Sequence, residues 1–218
     1  MDDTHLERTR AFYDTVATSY AEMIPDTRYE SALDLAMIRD FVDLLADGAS
    51  VLDAGCGTGR MIGHLRGLDA TIALTGMDLS PAMLAGARAS HPDVPFVEGR
   101  LSALPFGDDA FDGLLAWYCI IHTAPHDLGA VFAEFRRVLR PGGLVLLGYQ
   151  AGVGERSAKA AYGHDVELHA YLHDTPSVQR LLEAAGLVVD ARLDRGPRTW
   201  ERRPQGFVLA RLPAAAAA

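Results

Sequence analysis

Cysteine is nearly absent from this chain: Cys56 and Cys119 are the only two among 218 residues. Two thiols so far apart make neither a disulfide framework nor a zinc-ligand spacing. An excess of basic charge is missing as well. Twenty Lys and Arg face 29 Asp and Glu, a formal net charge of −9. That average field repels the phosphate backbone on which much of nucleic-acid affinity depends, which argues against a nucleic-acid partner and leaves open only a local basic patch. No apolar run reaches the roughly 18 residues of a membrane helix. The polar start, MDDTHLERTR, lacks a signal-peptide core. These absences lead to the expectation of a cytoplasmic protein with no membrane partner.

What is present is globular. Hydrophobic residues make up 49% and charged residues 22%, enough to fill a core and a composition that argues against global disorder. The length sits at the upper end of one domain, and neither a linker nor an internal repeat divides it. The expected organisation is one domain over 1–213, with a helical cap over 1–46 and a core over 47–213. The alanine-rich tail, 214–218, is assigned no function.

Along the chain, Leu33, Ala36, Met37, Asp40, Phe41 and Leu44 follow a largely helical spacing, and Pro25 separates two helical stretches. Strands are expected at 50–54, 71–77, 94–98, 111–117 and 144–149. A helix is expected from about 58 to 66, and another opens at Ser80-Pro81, where Ser80 can cap and Pro81 suits the first helical position. A further helix over 128–139 stops before Pro141-Gly142-Gly143. Gln150 to Asp165 is less regular, holds three glycines and reads as a lid. A strand over 166–172, a helix from near Pro176 and strands near 187–193 and 205–212 follow. Strands alternating with helices predict an α/β fold: a doubly wound, largely parallel sheet. The short loop joining the last two strands predicts an antiparallel edge.

The chemistry starts at Val51-Leu52-Asp53-Ala54-Gly55-Cys56-Gly57-Thr58-Gly59. Three alternating glycines join a buried strand to a helix, where the backbone can turn tightly and a ligand can approach it. Open α/β sheets bind nucleotides at this place. Asp78 lies 23 positions after Gly55, at the end of the next strand. A carboxylate there can accept both hydroxyl hydrogens of a ribose; a capping or surface role is the plainer alternative. Position 60 is Arg, which departs from the Gly-x-Gly-x-x-Gly of dinucleotide sites. Asp53 ill suits a pyrophosphate and better fits a ligand with a cationic amino group. S-adenosylmethionine is favoured over NAD.

The segments VLDAGCGTGR (51–60), GMDLSPAMLAGAR (76–88), VEGRLSALPFGDDAFDGLLAW (97–117) and EFRRVLRPGGLVLLG (134–148) resemble the class I S-adenosylmethionine-dependent methyltransferase family, in its branch of small soluble enzymes. The resemblance implies a seven-stranded, mostly parallel Rossmann-like sheet with an antiparallel C-terminal edge strand and N-terminal helices. It also implies roles. Asp53, Gly55, Cys56 and Gly57 would hold the methionine part of the cofactor, and Asp78 its ribose. Leu79 and Met83 would pack on the adenine, with Gly99 and the Leu101 N–H beside it. Arg100 stands where many relatives carry an Asp that accepts from the adenine amino group; arginine cannot accept, and stacking on the ring is what it offers instead. Trp117 and Tyr118 would close the cleft beside the sulfonium. Tyr13 and Tyr20 would cover it from the first helix, though ordinary core packing explains them equally well.

A sulfonium makes the methyl carbon electrophilic, so the protein has to align the reactants and exclude water, which can be worth about 7–11 kcal/mol. A base is needed only if the acceptor must lose a proton. His122 is the candidate base, against a structural histidine bonded to the main chain; Cys119 reads as packing. Glu167, His169, Tyr171 and His173 share a strand face by period two, which explains them without a metal. Arg198, Trp200, Arg202 and Arg203 form a basic loop with one aromatic, open to an acidic acceptor, a partner chain or solvent. The expected function is methyl transfer from S-adenosylmethionine to an O or N atom of a small-molecule acceptor, leaving S-adenosylhomocysteine, by a monomer or homodimer. Alternatives are a protein or RNA methyltransferase, a nucleotide-cofactor oxidoreductase, and a non-catalytic cofactor sensor.

Overall fold

The computed structural model describes residues 3–214. The tail reading therefore falls largely on 215–218, outside the described residues. Helix α1 (Asp3–Met23) and helix α2 (Ala32–Asp43) precede strand β1 (Ser50–Ala54). Then come α3 (Arg60–Leu68), β2 (Ala73–Asp78), α4 (Pro81–Ser90), β3 (Phe96–Glu98) and β4 (Phe111–Trp117). Two short 3-10 turns, Ile120–His122 and Pro125–Asp127, lead into α5 (Leu128–Val138). The rest is β5 (Leu139–Gln150), β6 (Glu155–Ala158), β7 (Leu168–Tyr171), α6 (Thr175–Ala184), β8 (Val188–Arg195) and β9 (Gln205–Arg211).

Seven strands make one sheet in the order β3-β2-β1-β4-β5-β9-β8. The pairs β3–β2, β2–β1, β1–β4 and β4–β5 are parallel. The antiparallel pairing expected at the C-terminal edge is made by β9, which threads between β5 and β8. The chain leaves β1 towards β2 and β3, then returns to lay β4 on the other side of β1. Such a switch of direction opens a crevice beyond the carboxyl ends of the strands.

Period two decides the cores. Leu52, Ala54, Leu114 and Ala116 enter the core on one face, together with Phe132 and Phe135 of α5. Val51, Leu115 and Trp117 enter the other, together with Phe41 of α2, Ile62 and Leu65 of α3 and Leu84 of α4. The strands are buried on both faces, as strands of a parallel sheet covered by helices should be. A smaller cluster joins Phe12, Val16 and Ala17 of α1 to Met83 of α4 and Leu168 of β7. It seats α1 across the end of the sheet.

Three local readings change. The apolar stripe of α2 is displaced: Asp34, Ile38, Phe41 and Val42 are buried, while Leu33 and Leu44 are 45% and 48% exposed. The reason is Arg195, whose guanidinium draws the Asp34 carboxylate inward at 2.6 Å. Within the irregular stretch, β6 pairs antiparallel with β7, so the segment around 166–172 belongs to a separate two-stranded sheet. Sheet pairing also resumes at Leu139, through Pro141-Gly142-Gly143, with a register shift against β4.

Candidate functional site

The crevice holds a cavity of about 370 Å³, the scale of small-molecule sites. Its floor is the Gly turn after β1. Gly55 has φ +78°, and a β-carbon built on it would lie 2.3 Å from Cβ of Cys119. Only glycine lets these two stretches of chain touch. Gly57, at φ +54°, is different: a β-carbon there would meet nothing nearer than Cε1 of Tyr20 at 4.0 Å. Its bare face belongs to the open cavity.

Two carboxylates flank this turn. Asp78, at the end of β2, accepts from the Gly57 N–H at 2.8 Å and from the Ser80 N–H at 2.9 Å. The capping alternative for Asp78 is thus realised, and the cavity role survives beside it, because each carboxylate oxygen has lone pairs to spare. Burial raises its pKa against those backbone bonds. Asp53, in β1, is fully buried, and neither of its oxygens has a hydrogen-bond partner among the described residues. Burial pushes its carboxyl up to about 7, with the Arg60 charge pulling the other way. An orphaned buried carboxylate is costly. A cation that docks beside it removes that cost, so Asp53 fits the ammonium of an amino-acid tail.

Of the residues singled out in sequence, Tyr13, Tyr20, Gly55, Gly57, Asp78, Leu79 and Met83 line the cavity. So do Gly99, Arg100, Leu101, Trp117, Tyr118 and His122. Asp53 and Cys56 do not: Asp53 is fully buried, and the Cys56 side chain turns into the core beside Gly76 and Phe96, so only its main chain remains for a ligand. Cys119 lines the cavity, but burial pushes its thiol far up. It packs on Gly55, as expected of a residue with no nucleophilic task. Arg100 reaches Asp3 at 3.3 Å from the mouth. Tyr118 has φ +60° and Tyr162 φ +51°. Both line the cavity, and strained backbone is retained where surrounding structure and function demand it.

His122 is bonded through both ring nitrogens. Nδ1–H donates to the carbonyl of His169 at 3.0 Å, and Nε2 accepts from the Tyr13 hydroxyl at 2.7 Å. Burial lowers its pKa to about 4 and raises that of Tyr13 well above the ordinary phenol value. At neutral pH the pair is uncharged. Tyr13, its hydrogen committed to His122, turns oxygen lone pairs elsewhere. His173 is buried instead of sharing a face with His169, and its Nε2 bonds to the carbonyl of Ile120 at 3.0 Å.

Of the far wall, only Trp200 and the 150–165 stretch were singled out in sequence. Glu30, between α1 and α2, is buried against Arg60 at 2.6 Å and accepts from Nε1 of Trp117 at 3.1 Å. Trp200 rims the mouth, 55% exposed, and donates from Nε1 to the carbonyl of Tyr29 at 3.1 Å. The basic loop is anchored from inside: Arg195 bonds Asp34 and Glu201 together. Gln150, Arg156, Tyr162 and Gln205 complete the wall. No local spacing joins these positions; they meet only through the fold.

The Gly turn, the two carboxylates and the strands behind them lie within residues 51–143, which match the methyltransferase domain family. Over 97 residues the chain is 42% identical to a malonyl-[acyl-carrier protein] O-methyltransferase of Pseudescherichia vulneris, covering 44% of this chain and 37% of that protein. It is 38% identical over 93 residues to a demethylmenaquinone methyltransferase of Chlorobaculum tepidum, covering 43% and 37%. The matches thus span well under half of either relative. Among solved structures, the Burkholderia thailandensis 1,6-didemethyltoxoflavin-N1-methyltransferase, with bound 1,6-didemethyltoxoflavin and S-adenosylhomocysteine, aligns with TM-score 0.65 and 24% identity, covering 93% of this chain and 88% of that one. Residues 51–143 thus match the methyltransferase domain, and in sequence and fold the chain is similar to S-adenosylmethionine-dependent methyltransferases.

Proposed function

We propose that this chain binds S-adenosylmethionine and transfers its methyl group to an O or N atom of a small-molecule acceptor by in-line displacement. One observation carries the reading: the buried carboxylate of Asp53, without a hydrogen-bond partner among the described residues, stands one strand away from the Asp78 carboxylate, which holds the N–H of the bare Gly57 turn. That set suits a ligand with an ammonium at one end and a ribose diol next to it. Dinucleotides lack the ammonium.

S-adenosylmethionine, when bound, supplies an electrophilic methyl carbon on its sulfonium. The residues of the chain then have three tasks. Asp53 meets the ammonium, and Asp78 accepts the ribose hydroxyls. Leu79, Met83 and Leu101 offer apolar contact to the base, with Gly99 and Arg100 at its edge. Helix α1 excludes water: Asp14 accepts from the Ser80 hydroxyl at 2.6 Å and from the Ala82 N–H at 3.2 Å, which pins α1 to the start of α4.

Tyr13 is the group placed to orient the acceptor. Because its hydrogen points to His122, its oxygen accepts a hydrogen bond from the O–H or N–H about to be methylated and turns the lone pair towards the methyl carbon. With a pKa near 4, His122 is a poor proton sink at neutral pH. Its role is to hold Tyr13. Alignment rather than proton removal is the larger contribution.

The test has two stages. Calorimetry with S-adenosylhomocysteine should show a single site per chain, and a transfer assay with labelled S-adenosylmethionine over a panel of hydroxylated and amine metabolites should label at least one. Binding of NAD(H) with no response to either form of the methyl donor would overturn the reading.

A further inference from the structure

Three arginines line the cavity, and they are not alike. Arg60 is paired with Glu30 and Arg100 with Asp3. Arg156 makes no ion pair among the described residues, and its hydrogen-bond partner is an amide: Nε donates to Oε1 of Gln150 at 2.9 Å. The other acids that line the cavity are already engaged, Asp78 by backbone N–H groups and Glu201 by Arg195. A half-buried guanidinium without a counter-charge is a poor resting arrangement.

The geometry around it is set by the chain. Arg156 sits in β6 opposite Ala170 of β7. The adjacent residue, His169, gives its carbonyl to His122. The arginine is therefore on the same framework that holds the Tyr13–His122 pair, beside Gln150 at the end of β5. Its positive charge acts on Tyr13, Tyr162 and His122. Arginine can only donate, so the Gln150 oxygen faces it and the Gln150 amide nitrogen is turned outward. Two Arg156 nitrogens and one Gln150 nitrogen then make a cluster of donors with no acceptor among the described residues.

We infer that Arg156 and Gln150 form an anion subsite for the acceptor, and that the acceptor carries a carboxylate beside the ring or chain that is methylated. A planar guanidinium next to an amide donor matches the planar two-oxygen geometry of a carboxylate. The rings of tyrosines 13, 20 and 162, packed edge to face, line the cavity with aromatic surface for an attached ring. This inference rests on the methyl-transfer reading, because it assigns the other half of the same cavity.

The experiment uses the full chain saturated with S-adenosylhomocysteine, which separates the two failures. Three acid and amide pairs serve as probes: benzoate with benzamide, 4-hydroxybenzoate with 4-hydroxybenzamide, and 4-hydroxycinnamate with its amide. Calorimetry should show at least one acid binding about tenfold more tightly than its amide, the scale of one charge-assisted pair. In Arg156→Gln that preference should vanish while saturation with S-adenosylhomocysteine is retained; in Arg156→Lys it should survive in reduced form. Equal binding within every pair, no binding by any acid, or an unchanged preference in Arg156→Gln overturns the inference. Failure of S-adenosylhomocysteine to bind the wild-type chain overturns the earlier reading instead.

Discussion

Replacing Asp53 by Asn should stabilise the ligand-free protein at pH 8 and weaken cofactor binding. The reason is the carboxyl held at about 7 by burial, against an ordinary value near 3.9; at about 1.4 kcal/mol per tenfold, holding it ionised costs the fold about 4 kcal/mol. The sign follows from linkage: a folded-state pKa above the unfolded one means that the favourable contribution is present below pH ~4 and is lost as pH rises through ~7. An Asn side chain escapes the ionisation cost but leaves a buried amide unpaired, about 1–3 kcal/mol. The net gain in the ligand-free state at pH 8 is then about 2 kcal/mol, a rise of roughly 4–8 °C in melting temperature.

Binding should run the opposite way. An ammonium needs the ionised carboxylate, so S-adenosylhomocysteine affinity for the wild type should be flat above pH ~7.5 and about tenfold weaker at pH 6 than at pH 8. Asp53→Asn should bind weakly and lose that slope. Paired thermal melts and calorimetry between pH 5.5 and 8.5 make the comparison. A wild-type affinity that does not change with pH would refute the argument. So would an Asp53→Asn protein that melts lower at pH 8, as a broken core contact would.

The two turn glycines should fail differently. Gly55→Ala drives a β-carbon against Cys119 and should cost about 1–3 kcal/mol or more in urea unfolding. Gly57→Ala has room, apart from its positive φ, and should fold yet lose S-adenosylhomocysteine binding in calorimetry. Tyr13→Phe removes the oxygen bonded to His122; steady-state assays should show kcat reduced about tenfold or more, with a smaller change in cofactor affinity. Asp34→Ala leaves Arg195 with Glu201 alone and should lower stability by about 3 kcal/mol, the lower end for a broken buried pair, in denaturant titration.

The part of the site that was legible in sequence is the part built from neighbours in the chain. Asp53, Gly55 and Gly57 lie on one strand-to-turn unit, and Asp78 closes the next strand. A pattern of buried strand, bare turn and helix start therefore carries its own geometry. The parallel sheet was legible for the same reason, since strand–helix alternation leaves few ways to bury both faces. What was lost depended on long-range pairing. The α2 stripe could not be phased without Arg195, which lies 161 positions from Asp34. Cys56 sits inside the turn, but which way its thiol points is decided by Phe96 and Gly76 on the neighbouring strands. Arg156 in sequence is one charge in an irregular stretch. Only the β6–β7 hairpin, itself invisible until both strands are paired, brings it to the cavity.

The inner arginine knot has a consequence for the breadth of substrates. Tyr29 and Trp200 both line the cavity and are joined by one hydrogen bond, yet each is carried by a segment fastened to Arg195 through Asp34 or Glu201. The placement of these two rings is thus governed from within the protein, by the buried Arg195–Asp34 pair, which does not line the cavity. Selection for bulkier guests can act on those hidden ions and leave every surface that greets the guest unaltered.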